Sequence, residues 1–195
     1  MREMTNAASA ESAGIVVLGV GNSIRTDDGL GIHALERLAK HPGLPIGVDL
    51  IEGGTKGLEL ACYAAEASKL LILDAVDVGE APGTVVRFTG SDLANLPGGK
   101  NVHELGLADL LLTLSLVAEQ EQEIVVMGVQ PAVIDWGTEL SPVVEAALER
   151  LVEAAVAQLT SWAAAMHTFK GPAAAVAAGS SEESTSILNT AKEAR

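Results

Sequence analysis

The chain has 195 residues, 48% of them hydrophobic, with a formal net charge of −14. That length suits one domain with one sizeable core, and the acidity argues against nucleic acid and anionic membrane surfaces as partners, favouring a cationic or metal-bearing one.

Residues 1–13 are small and polar and are expected to form a flexible arm. They hold no apolar stretch of the signal-peptide kind, and no run in the chain approaches the ~20 apolar residues that cross a bilayer. The first ordered element is expected at Ile15, where IVVLGVGNSIRTDDGLG opens on an unbroken β-branched run that reads as a strand buried on both faces. Gly19 and Gly21 then allow a sharp turn. Asn22 stands at its mouth, and Asp27 and Asp28 open a helix, where Asp27 is a good N-cap and both carboxylates suit the helix dipole. The turn is not a dinucleotide site. Its third glycine position is Ile24, two carboxylates would repel a diphosphate, and no P-loop occurs anywhere in the chain.

Leu30, Leu35 and Leu38 give a helical stripe that ends at the breaker cluster His41-Pro42-Gly43. A second strand is expected over 47–52, ending at Glu52, then a Gly53-Gly54 turn and a helix capped by Thr55 with Leu58, Cys62 and Ala65 on its apolar face. Cys62, the single cysteine, reads as an ordinary buried thiol in a reducing cytoplasm. The third strand, 69–75 (KLLILDA), carries Asp74 near its end, and after the Pro82-Gly83 turn a short strand over 84–88 suits an antiparallel sheet edge. Residues 89–102 read as a mobile loop delivering His103 to a helix over about 105–119, with Leu107, Leu110, Leu111, Leu114 and Val117 on its apolar face. A fifth strand over 123–129 ends at Gln130. Ser141 and Pro142 start a long last helix to about Phe169, with Val144, Leu148, Leu151, Ala155, Leu159 and Trp162 facing inward. Residues 170–195 are rich in Ala, Gly, Ser and Glu and are expected to be a disordered tail.

Strands alternating with helices imply an α/β fold: one domain, three layers α/β/α, with a mainly parallel, twisted sheet of about five strands. Such sheets bind ligands outside the carboxyl ends of their strands. Asn22, Asp28, Glu52, Asp74 and Gln130 all fall at that edge, with His103 on a loop nearby. Carboxylates converging with a histidine point to a divalent-metal or acid/base site. Two carboxylates and an imidazole from separate segments can form a Zn, Ni or Fe site with open positions. A serine or cysteine nucleophile has no support, because no G-x-S-x-G elbow occurs and Cys62 lies mid-helix. His33 is off the face of Asp28 and reads as packing or surface; His41 and His167 read as solvent-facing.

Five ordered motifs then carry a resemblance: G-V-G-N-x-x-x-x-D-D-G-x-G after the first strand, G-G-T-x-G after the second, D-A at the end of the third, P-G-T before the edge strand, and H-x-L-G-L-A-D opening a helix. Over about residues 15–160 the chain resembles the nickel-iron hydrogenase maturation proteases, endopeptidases that trim the C-terminal extension of the hydrogenase large subunit after nickel insertion. The resemblance implies a peptidase domain over 14–169. It also implies a [NiFe] hydrogenase large-subunit precursor as partner and nickel supplied by that substrate as recognition element. By motif the nickel contacts fall on Asp28, where the family usually has Glu, and on Asp74 and His103. These three are the catalytic candidates together with Glu52, which stands where the family usually has Asp. A cytoplasmic monomer is expected. Two other classes share part of the pattern: a nickel-sensing binding protein that does not cut, and a nucleotide-binding oxidoreductase, which Ile24 weakens.

Overall fold

The computed structural model describes residues 14–54, 60–61, 64–95, 107–118 and 121–169. The expected arm and tail, Thr55, Leu58, Cys62 and His103 lie outside the described residues.

Five strands form one sheet: β1 Ile15–Val20, β2 Val48–Gly54, β3 Lys69–Ala75, β4 Val85–Thr89 and β5 Glu123–Val129, in the order β2-β1-β3-β5-β4. The first four of that order run parallel, and β4 lies antiparallel to β5 at the edge. The bounds of β3 and β5 are those the apolar runs predict. β2 runs to Gly54, past Glu52, with an irregularity in its pairing to β1 between Gly19 and Val20.

The helices are α1 Leu30–Ala39, α2 Leu107–Val117 and α3 Pro142–Phe169, and Leu60, Ala61 and Ala64 are also helical and buried. Strand alternation splits the apolar residues into two cores, one on each face of the sheet. On one face Val17, Leu71, Leu73, Val125 and Met127 pack against Leu30, Leu35 and Leu38 of α1 and against the inward stripe of α3. That stripe is as expected: Val144, Leu148, Leu151, Ala155 and Leu159 are fully buried, and Trp162 nearly so. On the other face Val16, Leu18, Leu70, Ile72 and Val126 pack against Leu60, Ala61, Ala64 and, from α2, Leu110 and Leu114. Sheet and helices thus make the expected three layers, and no helix among the described residues is long and apolar enough to cross a membrane.

Four local expectations are corrected. Asp27 and Asp28 do not open α1: they lie in a separate 3-10 turn, Thr26–Gly29, and α1 begins at Leu30 with no side-chain cap. The chain beyond β4 is not a loop from residue 89; Thr89 ends β4, and Gly90–Asn95 form a 3-10 turn entered through Gly90 at φ +52°. Val117, the last residue of α2, is exposed, as are Leu112 and Leu116. His41 is held rather than free: its Nδ1 accepts the Gly43 N–H, and its Nε2 lies 3.3 Å from Glu153 on α3.

Candidate active site

The sheet reverses its winding direction between β1 and β3, the switch point at which sheets of this kind form a crevice outside the strand ends. Two glycines bring its walls together. A Cβ on Gly31, in the first turn of α1, would stand 2.2 Å from both Leu73 O and Val20 O, so only glycine lets the helix lie this close to the two strands. Gly21, just past β1 at φ +121°, would place a Cβ 1.9 Å from Asp28 O and 3.8 Å from Asp74 Oδ1. Its missing side chain is what allows the Asp28 backbone carbonyl to close against β1 beside the Asp74 carboxylate.

The turn that carries Asp28 closes on itself. Asn22 N–H donates to Asp28 O (3.1 Å), Asp28 N–H donates to Arg25 O (3.0 Å), and Asn22 Oδ1 accepts the Ile24 N–H (3.2 Å). Thr26 sits at φ +40°, a strained value for a β-branched residue. It is held there by the loop after β5: its N–H donates to Gly137 O (2.7 Å), and its hydroxyl donates to Val133 O and accepts the Asp135 N–H.

Asp27 is fully buried and reaches across to the same loop. Its Oδ2 accepts the N–H groups of Ala132 and Val133 at 2.9 Å and the Ser141 hydroxyl at 2.8 Å, while Oδ1 accepts the Ser141 N–H at 2.6 Å. Burial alone would raise its pKa, but these four donors hold it below the ordinary value. Asp27 is therefore a clamp between the Asp28 turn and the start of α3, and the Ser141 hydroxyl serves that clamp. Partners more than a hundred residues away leave no signal in local spacing.

Asp74, at the end of β3, accepts its neighbour Ala75's N–H at 2.8 Å. Burial first, and then the charge of Asp28, push its pKa from 3.8 to about 7, against the lowering effect of the Ala75 hydrogen bond. The two carboxylates form an electrostatically coupled, half-buried pair in which the Asp74 carboxyl titrates near neutrality.

The other candidates are placed differently. Glu52 is exposed and shares the strand parity of Val48 and Leu50, which pack on the α1 face; Asp74 has the parity of Leu70 and Ile72 on the opposite face. With β1 between their strands, the backbones of Glu52 and Asp74 stand about 10 Å apart, so the structure does not bring Glu52 to the pair. Gln130 is buried and its amide is occupied: Oε1 accepts the Val78 and Glu80 N–H groups, and Nε2 donates to Asp77. It braces the loop after β3. His33 Nε2 lies 3.2 Å from Thr138 O, again tying α1 to the loop after β5. Among the described residues no three His, Cys, Asp or Glu side chains form a metal-binding group; His103 lies outside them.

Comparison with known proteins agrees with this architecture. The hydrogenase maturation protease family model matches residues 32–158. The hydrogenase expression/formation protein HupD of Rhodobacter capsulatus is 35% identical over 151 residues, 76% of this chain and 72% of its own length. The hydrogenase 2 maturation protease of Escherichia coli is 37% identical over 147 residues, 74% of this chain and 90% of its own. Among solved structures, the hydrogenase maturating endopeptidase HybD from Escherichia coli superposes with a TM-score of 0.68 at 35% identity, covering 75% of this chain and 92% of that one. The chain is an α/β peptidase. It belongs to the hydrogenase maturation protease family.

Proposed function

We propose that this endopeptidase removes the C-terminal extension of a [NiFe] hydrogenase large-subunit precursor, and that it recognises nickel already bound in that precursor through Asp28, Asp74 and His103. The observation that carries the reading is the convergence of Asp28 and Asp74 at the switch point of the sheet, across the space left by Gly21. Two coupled carboxylates out of bulk water repel each other, and a divalent cation relieves that repulsion. The family's motif assigns the third contact to His103, whose imidazole with the two carboxylates gives a mixed oxygen and nitrogen donor set of the kind nickel accepts.

Selectivity for the loaded precursor follows from the same electrostatics. Facing an empty substrate, Asp74, with its pKa pushed up to about 7, is partly protonated at neutral pH; facing a divalent cation, that proton leaves and both carboxylates engage.

Incubating the full chain with nickel-loaded and nickel-free precursor and weighing the products tests this. The expected result is loss of the extension's mass from the loaded form alone. Loss from both forms would overturn the nickel reading, and a loaded precursor that binds but keeps its mass would favour a nickel-sensing assembly protein. Replacing His103 by Ala, Asp28 by Asn or Asp74 by Asn is expected to stop cleavage while the fold stays intact. Normal cleavage by any of the three would remove that residue from the site.

A further inference from the structure

Beside the carboxylate pair the chain exposes a group of large apolar side chains that the fold does not use. Ile24 is 50% exposed, Val133 49%, Ile134 43% and Trp136 75%. They come from two segments laid against each other: Gly137 N–H donates to Ile24 O, Thr26 N–H to Gly137 O, and Asp27 N–H to Val133 O. The ridge they form therefore begins one turn before Asp28 and is fixed to it by the Asp27 clamp. Against it lies a shallow hollow of about 470 Å³ lined by Thr26, Val133, Thr138, Glu139, Leu140 and Ser141.

Arg25 stands in the middle of the ridge. Its guanidinium lies over the Trp136 ring, 5.6 Å from the centroid, and its buried Nε has no hydrogen-bond partner. Among the described residues no carboxylate forms an ion pair with it, although the chain carries a net charge of −14. An arginine stacked on an exposed tryptophan, ringed by apolar side chains and next to a hollow, has the composition of an interface hot spot. Apolar patches of this kind on a protein surface mark interaction sites.

We propose that this ridge is the docking surface for the large-subunit precursor, with Ile24, Arg25, Val133, Ile134 and Trp136 as its specificity-determining residues. It takes a polypeptide segment with a large apolar side chain for the hollow and an acidic side chain or carboxylate for Arg25. This rests on the substrate assigned above, because the ridge adjoins the carboxylate pair and a chain lying along it runs directly to Asp28.

The test is a steady-state comparison of full-length wild type, W136A, R25Q, and the conservative W136F and R25K on nickel-loaded precursor. Truncating a group that binds without reacting is expected to raise KM about tenfold while kcat stays within about twofold, with W136F and R25K recovering most of the loss. Added salt is expected to raise KM for wild type and hardly at all for R25Q. Unchanged KM in both W136A and R25Q, or a fall in kcat with KM unchanged, would overturn the proposal. Should W136A fail to fold, Ile134→Asp on a neighbouring exposed position carries the same expectation. If wild type leaves the precursor uncut, the peptidase assignment fails, and calorimetric binding of uncut precursor decides the ridge separately: weaker binding by W136A supports it, equal binding overturns it.

Discussion

Two adjacent aspartates, Asp27 and Asp28, look interchangeable on paper and behave oppositely in the fold. Asp27 accepts four hydrogen bonds from the loop after β5 while fully buried. Asn in its place offers one acceptor oxygen and turns an NH2 donor towards either the Ser141 N–H or the N–H groups of Ala132 and Val133, so D27N is expected to destabilise the protein by about 2–4 kcal/mol. An ordinary helix cap would tolerate the same change within a few tenths of a kcal/mol, so chemical denaturation separates the two roles. Because the native pKa of Asp27 lies below its unfolded value, its contribution is present above pH 3.8 and is lost as acid protonates the native carboxylate. Asp74 works with the opposite sign. The native carboxyl keeps its proton up to about pH 7 and the unfolded one releases it near 3.8, so between those values the native state binds more protons and stability falls as pH rises. In metal-free protein D74N is therefore expected to melt higher than wild type, by a margin that is larger at pH 8 than at pH 5. A margin that does not change with pH would show that Asp74 is ordinary.

At the scale of elements, the approach of α1 to the ends of β1 and β3 rests on Gly31. Helix propensity favours Ala over Gly by about 1 kcal/mol, yet a methyl at Gly31 meets Leu73 O and Val20 O at 2.2 Å, inside the range real Cβ atoms avoid. Rigid backbone carbonyls cannot swing away as a side chain would, so α1 has to lift off the sheet. G31A is expected to destabilise by about 1–3 kcal/mol or more despite its better propensity, and to widen the crevice so that cleavage falls as well. A G31A protein as stable and active as wild type would show that the helix floats freely over the strands. The loop after β5 is an element in its own right, tied to the Asp28 turn through Thr26, Asp27 and His33. Strain at Thr26 persists because three hydrogen bonds over-determine it.

For the molecule as a whole, two cores share one sheet. Leu71 and Leu73 point into one while Leu70 and Ile72 point into the other, so neither layer of helices can leave without exposing strands the other depends on. Unfolding is expected as one cooperative transition, with heat capacity and circular dichroism giving the same midpoint. Leu148→Ala under α3 and Leu114→Ala on α2 should each lower that single midpoint, at about 2–5 kcal/mol apiece for a fully buried leucine. Two separated transitions in either variant would show that the layers fold independently.

Local chemistry along the chain was enough to determine the five strands, the long last helix, the edge position of β4, the place of Asp74 at the end of β3 and that of Asp28 in the turn after β1. Apolar runs, helical stripes and glycine turns are short-range signals, and the family's motifs are short-range as well. What only the tertiary structure decided was where side chains meet across distance. Strand parity set Glu52 and Asp74 on opposite faces, a Gly21 without a side chain let Asp28 come close enough to raise the Asp74 pKa, and the loop after β5 turned Asp27 from a cap into a clamp. The reason is physical: a carboxylate's role depends on its desolvation and on the donors around it, and here those donors are supplied by residues 105–114 positions away.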